Sequence, residues 1–174
     1  MVNKKELTEA DIRTKFITPA LVGHNGSKWN VMTQLREEIY FTKGRVIVRG
    51  KTVKRGEAKK ADYILYIKPG LPIAVIEAKD NTHTVGAGMQ QALDYAEILD
   101  LPFAYSSNGD AFLEHDRTSV AGTIEREIPL TSFHRQRLSW RVTARPRATP
   151  LRNRRLQPKT TTTMVQASRP VITS

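Results

Sequence analysis

Two carboxylates and one ammonium stand at the ends of two apolar runs in this chain. Asp62 opens ADYILYI, and Glu77 and Lys79 close PIAVIEAKD, residues 72–80. Ionised groups at the end of a buried strand are costly unless they are paired or bound to something. Residues two apart in a strand share a face, so Glu77 and Lys79 project together, roughly 6–7 Å apart along the chain. If the two runs are antiparallel neighbours, Asp62 lies beside them. Two hard carboxylate oxygens suit Mg²⁺, which keeps several waters and takes one or two carboxylates plus phosphate oxygens. A lysine beside such an ion can hold an attacking water and stabilise charge building on phosphorus, the parts needed to hydrolyse a phosphodiester. The competing reading is plain: acid-x-lysine is a common tripeptide, Asp62 could simply begin a strand, and Glu77 and Lys79 could pair with each other.

Downstream, Gln91 and Tyr95 are four apart and share a helix face, so the chain carries D-x14-E-A-K followed by Q-x-x-x-Y. Taken alone, Tyr95 is equally a half-buried helix aromatic. The basic run Arg49, Lys51, Lys54, Arg55, Lys59 and Lys60 leads directly into Asp62; it reads either as phosphate contacts to DNA or as a solvated loop. His24, His83, His115 and His134 show no metal-ligand spacing, and GHNGSKW lacks the Gly-Lys-Ser/Thr ending of a phosphate loop.

The elements that must position these groups are legible in outline. Thr8 with Asp11 predicts a helix start, continued by Ile12, Phe16 and Ile17 and limited or kinked by Pro19. Met32, Leu35 and Ile39, three and four apart, predict a second helix over 29–39. GRVIVRG, ADYILYI and PIAVIEAK read as strands, the last two joined by a Pro-Gly turn and hence antiparallel. NTHTVGAG is a small-residue loop, and MQQALDYAEILD a helix burying Met89, Leu93, Ala96 and Leu99 or Ala92 and Ala96. FAYSS and AFLEH flank Asn108-Gly109, a hairpin signal. The order predicts an α/β fold with one mixed central sheet flanked by helices.

Composition sets the bounds. The chain of 174 residues predicts one domain with an appended tail. It has no cysteine, which excludes disulfides, thiolate nucleophiles and zinc-thiolate sites. No stretch approaches the ~18 apolar residues of a membrane helix, and the charged start has no apolar leader; the expectation is a soluble, cytoplasmic protein without membrane contact. The formal net charge of +11 is unevenly placed: residues 131–174 hold 10 of the 28 basic residues and no acid, leaving 18 against 17 before them. The basic balance therefore describes the tail. That segment is poor in apolar residues, rich in arginine and proline, and has four threonines at 160–163, so residues 131–174 are expected to be disordered and residues 1–130 to form the domain.

The segments TEADIRTKFITPAL, ADYILYI and PIAVIEAKDNTHTVGAGMQQALDYAEILDLPFAYSSNGDAFLEHD together resemble the PD-(D/E)xK nuclease superfamily, and within it the N-terminal nuclease domain of the R subunit of type I restriction enzymes, over about residues 1–130. The resemblance implies a restriction-endonuclease-like core that cuts DNA. Asp62 and Glu77 would hold Mg²⁺ and Lys79 would serve the attacking water. Gln91 and Tyr95 would match a Q-x-x-x-Y element that steadies the site and couples cleavage to translocation. An early acid often joins such sites, and Glu9, Glu37 and Glu38 are candidates. The partners implied are double-stranded DNA and the methyltransferase and specificity subunits of a restriction complex. Full-length R subunits use ATP in motor lobes, yet no G-x-x-x-x-G-K-[ST] occurs in this sequence, so translocation is not expected of it and the tail reads as a frameshifted or truncated end, or as a basic DNA-binding extension. Two alternatives stand beside the nuclease reading: an inactive remnant that at most docks on the complex, and a different superfamily nuclease of repair or recombination.

Overall fold

The computed structural model describes residues 2–41, 47–49, 52–54, 58–119, 122–133 and 138. Of the tail expected to be disordered, residues 131–174, only 131–133 and 138 are among the described residues. Lys51 and Arg55, and the side chains of Arg49 and Lys54, lie outside them too.

The chain enters through the expected cap. Thr8 Oγ1 accepts from the Asp11 N–H at 3.2 Å while the Asp11 carboxylate accepts from the Thr8 N–H at 3.3 Å, satisfying two donors that a helix start leaves free. One helical run follows, α1 (Glu9–Ile12), a π-helical turn (Arg13–Ile17) and α2 (Thr18–Val22). Pro19 has no N–H to give the preceding turn and its ring crowds a carbonyl there, and the π-turn lies just before it. Ile12, Ile17 and Leu21 are fully buried along this run.

The helix expected over 29–39 is not formed. Asn30 Oδ1 accepts from the N–H groups of Met32 and Thr33 at 2.9 and 3.1 Å, a local turn that competes with helix. From Leu35 the chain is strand β1 (Leu35–Phe41), paired antiparallel with β4 (Lys59–Lys68). Met32, one of the three residues that suggested a helix, is 79% exposed. The helical spacing of Met32, Leu35 and Ile39 gives way to strand pairing with β4.

β2 (Ile47–Arg49) and β3 (Thr52–Lys54) form a separate two-stranded antiparallel ribbon. β4 (Lys59–Lys68) turns through Pro69 and Gly70 into β5 (Leu71–Ala78), antiparallel as expected. Gly70 has φ 77°, a value that glycine adopts without Cβ strain. Helix α3 (Met89–Ile98) returns the chain so that β6 (Phe103–Ser107) lies parallel to β5. β7 (Ala111–Asp116) and β8 (Glu125–Pro129) complete a sheet ordered β1-β4-β5-β6-β7-β8. The result is the expected mixed sheet with helices on both faces. β8 was not anticipated: EREIP is short, charged and half-exposed, and β7 supplies its partner.

Each face has its own core. Ile12, Ile17, Leu21 and Trp29 cover one face, against Tyr63, Leu65, Ile76, Phe103, Tyr105 and Phe112. α3 covers the other with Met89, Ala92, Tyr95 and Ala96, against Ala61, Ile64, Val75 and Ala104; Leu93 and Leu99 are only partly buried there. Phe133 and Leu138, beyond the expected boundary at residue 130, are 3% and 1% exposed and belong to the first core. Among the described residues no helix is long and apolar enough to cross a membrane.

Candidate active site

The sheet changes character where the charged residues lie. β4 and β5 are paired from Tyr63↔Ile76 toward the turn, while β5 and β6 stay paired on to Ala78↔Ser107. Beyond Tyr63 the β4–β5 ladder stops, and the Asp62 side chain takes over: its Oδ2 accepts from the Ala78 N–H at 2.9 Å. Asp62 is thereby pinned beside Glu77, as antiparallel pairing predicted.

The faces also exchange at this end. Leu35 packs on the α1 side, yet Ile39 and Phe41 pack on the α3 side; in β4, Tyr63 faces α1 and Ala61 faces α3. Strict strand alternation would keep each set on one side. The switch occurs at Glu38, whose φ is 52°, and at Asp62, opposite it between the pairs Glu37↔Tyr63 and Ile39↔Ala61.

Glu77 is 1% exposed, and its Oε1 has no hydrogen-bond partner among the described residues. Burial, and then the charge of Asp62, push its carboxyl up to about 8. Lys79 Nζ stands 3.9 Å from Glu9 Oε2 and 3.5 Å from Gln91 Oε1. Gln91 Nε2 in turn donates to the Tyr95 hydroxyl at 3.0 Å. The Tyr95 ring meets Phe41 edge-on, centroids 5.0 Å apart, and Lys59 Nζ lies 5.3 Å from its centroid. The Glu9 carboxyl is raised, by burial first and then by Asp62, with Lys79 opposing.

Asp62, Glu77, Lys79, Gln91 and Tyr95 thus meet at one end of the sheet. Of the candidates for a third acid, Glu9 faces the cluster from the first turn of α1. Glu37 accepts from the Thr18 hydroxyl at 3.3 Å, and Glu38 takes Arg13 at 3.0 Å and Lys60 at 3.3 Å. Lys59 and Lys60 open β4 and flank the cluster, so neither is in a loop.

The donor set fits a small hard cation. Ionising Glu77, with a buried unpartnered oxygen beside a second carboxylate, is unfavourable, so its carboxyl keeps the proton unless a cation joins the pair. Among the described residues no group of three or more His, Asp or Glu side chains is placed to hold a metal ion; Asp62 and Glu77 are the two carboxylates that would hold a hard cation whose remaining ligands are water and phosphate oxygens.

With this geometry, the likeness to known proteins becomes specific. The sequence profile of the family described as Type I restriction enzyme R protein N terminus matches residues 46–121, which hold every one of the five clustered residues from Asp62 to Tyr95. The chain belongs to the type I restriction R-subunit N-terminal family. The type I restriction enzyme EcoAI endonuclease subunit of Escherichia coli is 47% identical over 133 residues, 76% of this chain and 16% of that protein. A solved fragment of an HsdR subunit of a type I restriction enzyme from Vibrio vulnificus YJ016 is 42% identical, with a TM-score of 0.60 over 78% of this chain and 25% of that one. This R-subunit N-terminal domain therefore spans about a sixth of the curated relative's length.

Three residues of the site escaped the reading of the sequence. Arg13 reaches Asp62 from the π-turn, its NH1 3.5 Å from Oδ1. Ser106 Oγ accepts from the Gly88 N–H at 2.9 Å. A Cβ on Gly88 would come within 3.0 Å of that oxygen and 3.1 Å of Glu77 Cβ, so glycine is what lets α3 seat against the strand. The glycines of NTHTVGAG were the only hint of this approach; nothing local marks Arg13 or Ser106.

Proposed function

We propose that this domain is a metal-dependent DNA endonuclease, hydrolysing phosphodiesters at the Asp62, Glu77 and Lys79 cluster. The observation that carries it is the buried Oε1 of Glu77, without a hydrogen-bond partner among the described residues, beside an Asp62 already fixed by a backbone N–H. Mg²⁺ held by Asp62 and Glu77 would supply Lewis-acid charge to a phosphate oxygen. Lys79, steadied between Glu9 and the Gln91 carbonyl, presents an ammonium that holds the attacking water and offsets charge developing on phosphorus. Tyr95 fixes Gln91, so the Q-x-x-x-Y element acts by orienting Lys79. Glu9 is the additional acid. Lys59 and Lys60 would contact phosphates on the approach, positioning the duplex without reading its bases.

The substrate is double-stranded DNA, with sequence choice left to a specificity subunit and methyltransferase partners in the cytoplasm. The likeness to EcoAI and to the Vibrio fragment supports this assembly. Incubation of the purified chain with supercoiled plasmid and Mg²⁺ or Mn²⁺ tests the chemistry. Nicking is expected, and Asp62→Ala and Lys79→Ala should each abolish it; a folded chain that does not cut with either metal would support the inactive docking fragment instead.

A further inference from the structure

Arg13 has no part in the chemistry just described, yet its surroundings are unusual for an exposed ion-pairing arginine. Its side chain is 13% exposed, and its guanidinium carbon lies 5.2 Å from the centroid of the Tyr63 ring. NH1 serves two carboxylates at once, Glu38 Oε1 at 3.0 Å and Asp62 Oδ1 at 3.5 Å. Lys60 closes the network on the same Glu38 oxygen at 3.3 Å. Three elements converge to build it: the π-turn supplies Arg13, β1 supplies Glu38 in a left-handed conformation, and β4 supplies Asp62 where its ladder to β5 has ended.

We propose that Arg13 is a positioning residue, which sets the plane of the Asp62 carboxylate for cation binding and is itself held in place by Glu38. This rests on the nuclease reading of the site. With Oδ2 accepting from the Ala78 N–H at 2.9 Å and Oδ1 in a 3.5 Å ion pair with Arg13, the carboxylate is held from both ends, which restricts rotation about its side-chain torsion. Each oxygen keeps lone-pair capacity for a cation. A bare arginine so close would repel that cation. Glu38 lies nearer to NH1 than Asp62 does and, although it also takes Lys60, it offsets part of the positive charge that Arg13 brings beside Asp62. The left-handed backbone at Glu38, unfavourable for a non-glycine residue, is consistent with that placement having a function: in an ordinary strand its side chain would not be opposite Asp62 on the Arg13 side.

The test is Mn²⁺ binding to the full chain, followed by calorimetry, alongside Mn²⁺ titration of plasmid nicking. Wild type, Arg13→Met, Arg13→Lys, Glu38→Gln and Asp62→Ala are compared. Loss of a group that orients a metal ligand weakens binding by about 10- to 100-fold. Arg13→Met should therefore weaken Mn²⁺ about tenfold and shift the nicking titration equally, while the rate at saturating Mn²⁺ is retained. Arg13→Lys should recover part of that affinity. Glu38→Gln, at an exposed side chain that leaves both cores untouched, should move binding in the same direction by less, and it decides the matter if Arg13→Met does not fold. A purely structural role for Arg13 predicts lower melting temperature with an unshifted Mn²⁺ titration, and that result would overturn the proposal. The nuclease reading fails separately: then wild type binds no Mn²⁺ or Asp62→Ala binds as wild type does, and the inference about Arg13 falls with it.

Discussion

Glu77 concentrates the energetic tension of the site. A carboxyl pushed up to about 8 by burial and by Asp62 holds its proton in the folded chain when the unfolded chain, with its ordinary carboxyl value of 4.5, has lost it. Below both values the two states bind the proton equally and the contribution is fully present. As pH rises through the window between them, the folded state is left with a proton preference the unfolded state lacks, and stability declines until the folded value is passed. The raised Glu9 carboxyl adds to the same slope, while Asp80, lowered to about 2 through hydrogen bonds from Thr82, acts only at far lower pH. Metal-free protein in chelator should therefore show a urea midpoint that falls from pH 5 to pH 8. Glu77→Gln should flatten that fall, and a slope unchanged by the substitution would remove Glu77 as its source.

At the scale of elements, the seat of α3 on β5 and β6 decides whether Gln91 can reach Lys79. The contact depends on Gly88, because its Cα side is closed by Ser106 Oγ and Glu77 Cβ. Its backbone is an ordinary helical one, φ −88°, so space alone is at stake. Gly88→Val should push the helix start outward and cost about 1–3 kcal/mol by overpacking, read as a lower urea midpoint, with nicking lost more steeply than stability. Equal stability to wild type would mean that the strand end yields more easily than its packing suggests. β1 illustrates the other side of element-scale reasoning. Its residues fit a helix by spacing, and an Asn30 turn and six partner residues on β4 made it the edge strand that carries Glu38.

Across the whole molecule, the two cores meet different parts of the chain. Phe133 lies 4.5 Å from Phe112 and 5.1 Å from Tyr105, centroid to centroid, so the core on the α1 face is closed from beyond β8. Phe133→Ala should cost about 3–5 kcal/mol, the range for removing a buried aromatic, measured by urea unfolding. A loss under about 1 kcal/mol would show that the core does not depend on it. The net charge is a property of the same scale. Ten basic residues from 131 on, without an acid, make the chain basic while the part that holds the site is nearly balanced.

The sequence by itself determined which residue types stand together along the chain. Asp62 and Glu77 sit on two strands joined by a Pro-Gly turn and Lys79 directly follows the second, so local geometry already brought them to one end. Gln91 and Tyr95 sit one helical turn apart, so their shared face was legible as well. Only the tertiary structure decided what lies across from them. Glu9 rather than Glu37 or Glu38 faces Lys79 because the helical run crosses the sheet at that end. Arg13, Ser106 and Gly88 join because separate elements pack together there, and no periodicity within one element records a contact made between two. The strand at 35–41 was decided in the same way, since an ambiguous local pattern takes its form from the neighbour with which it can share hydrogen bonds.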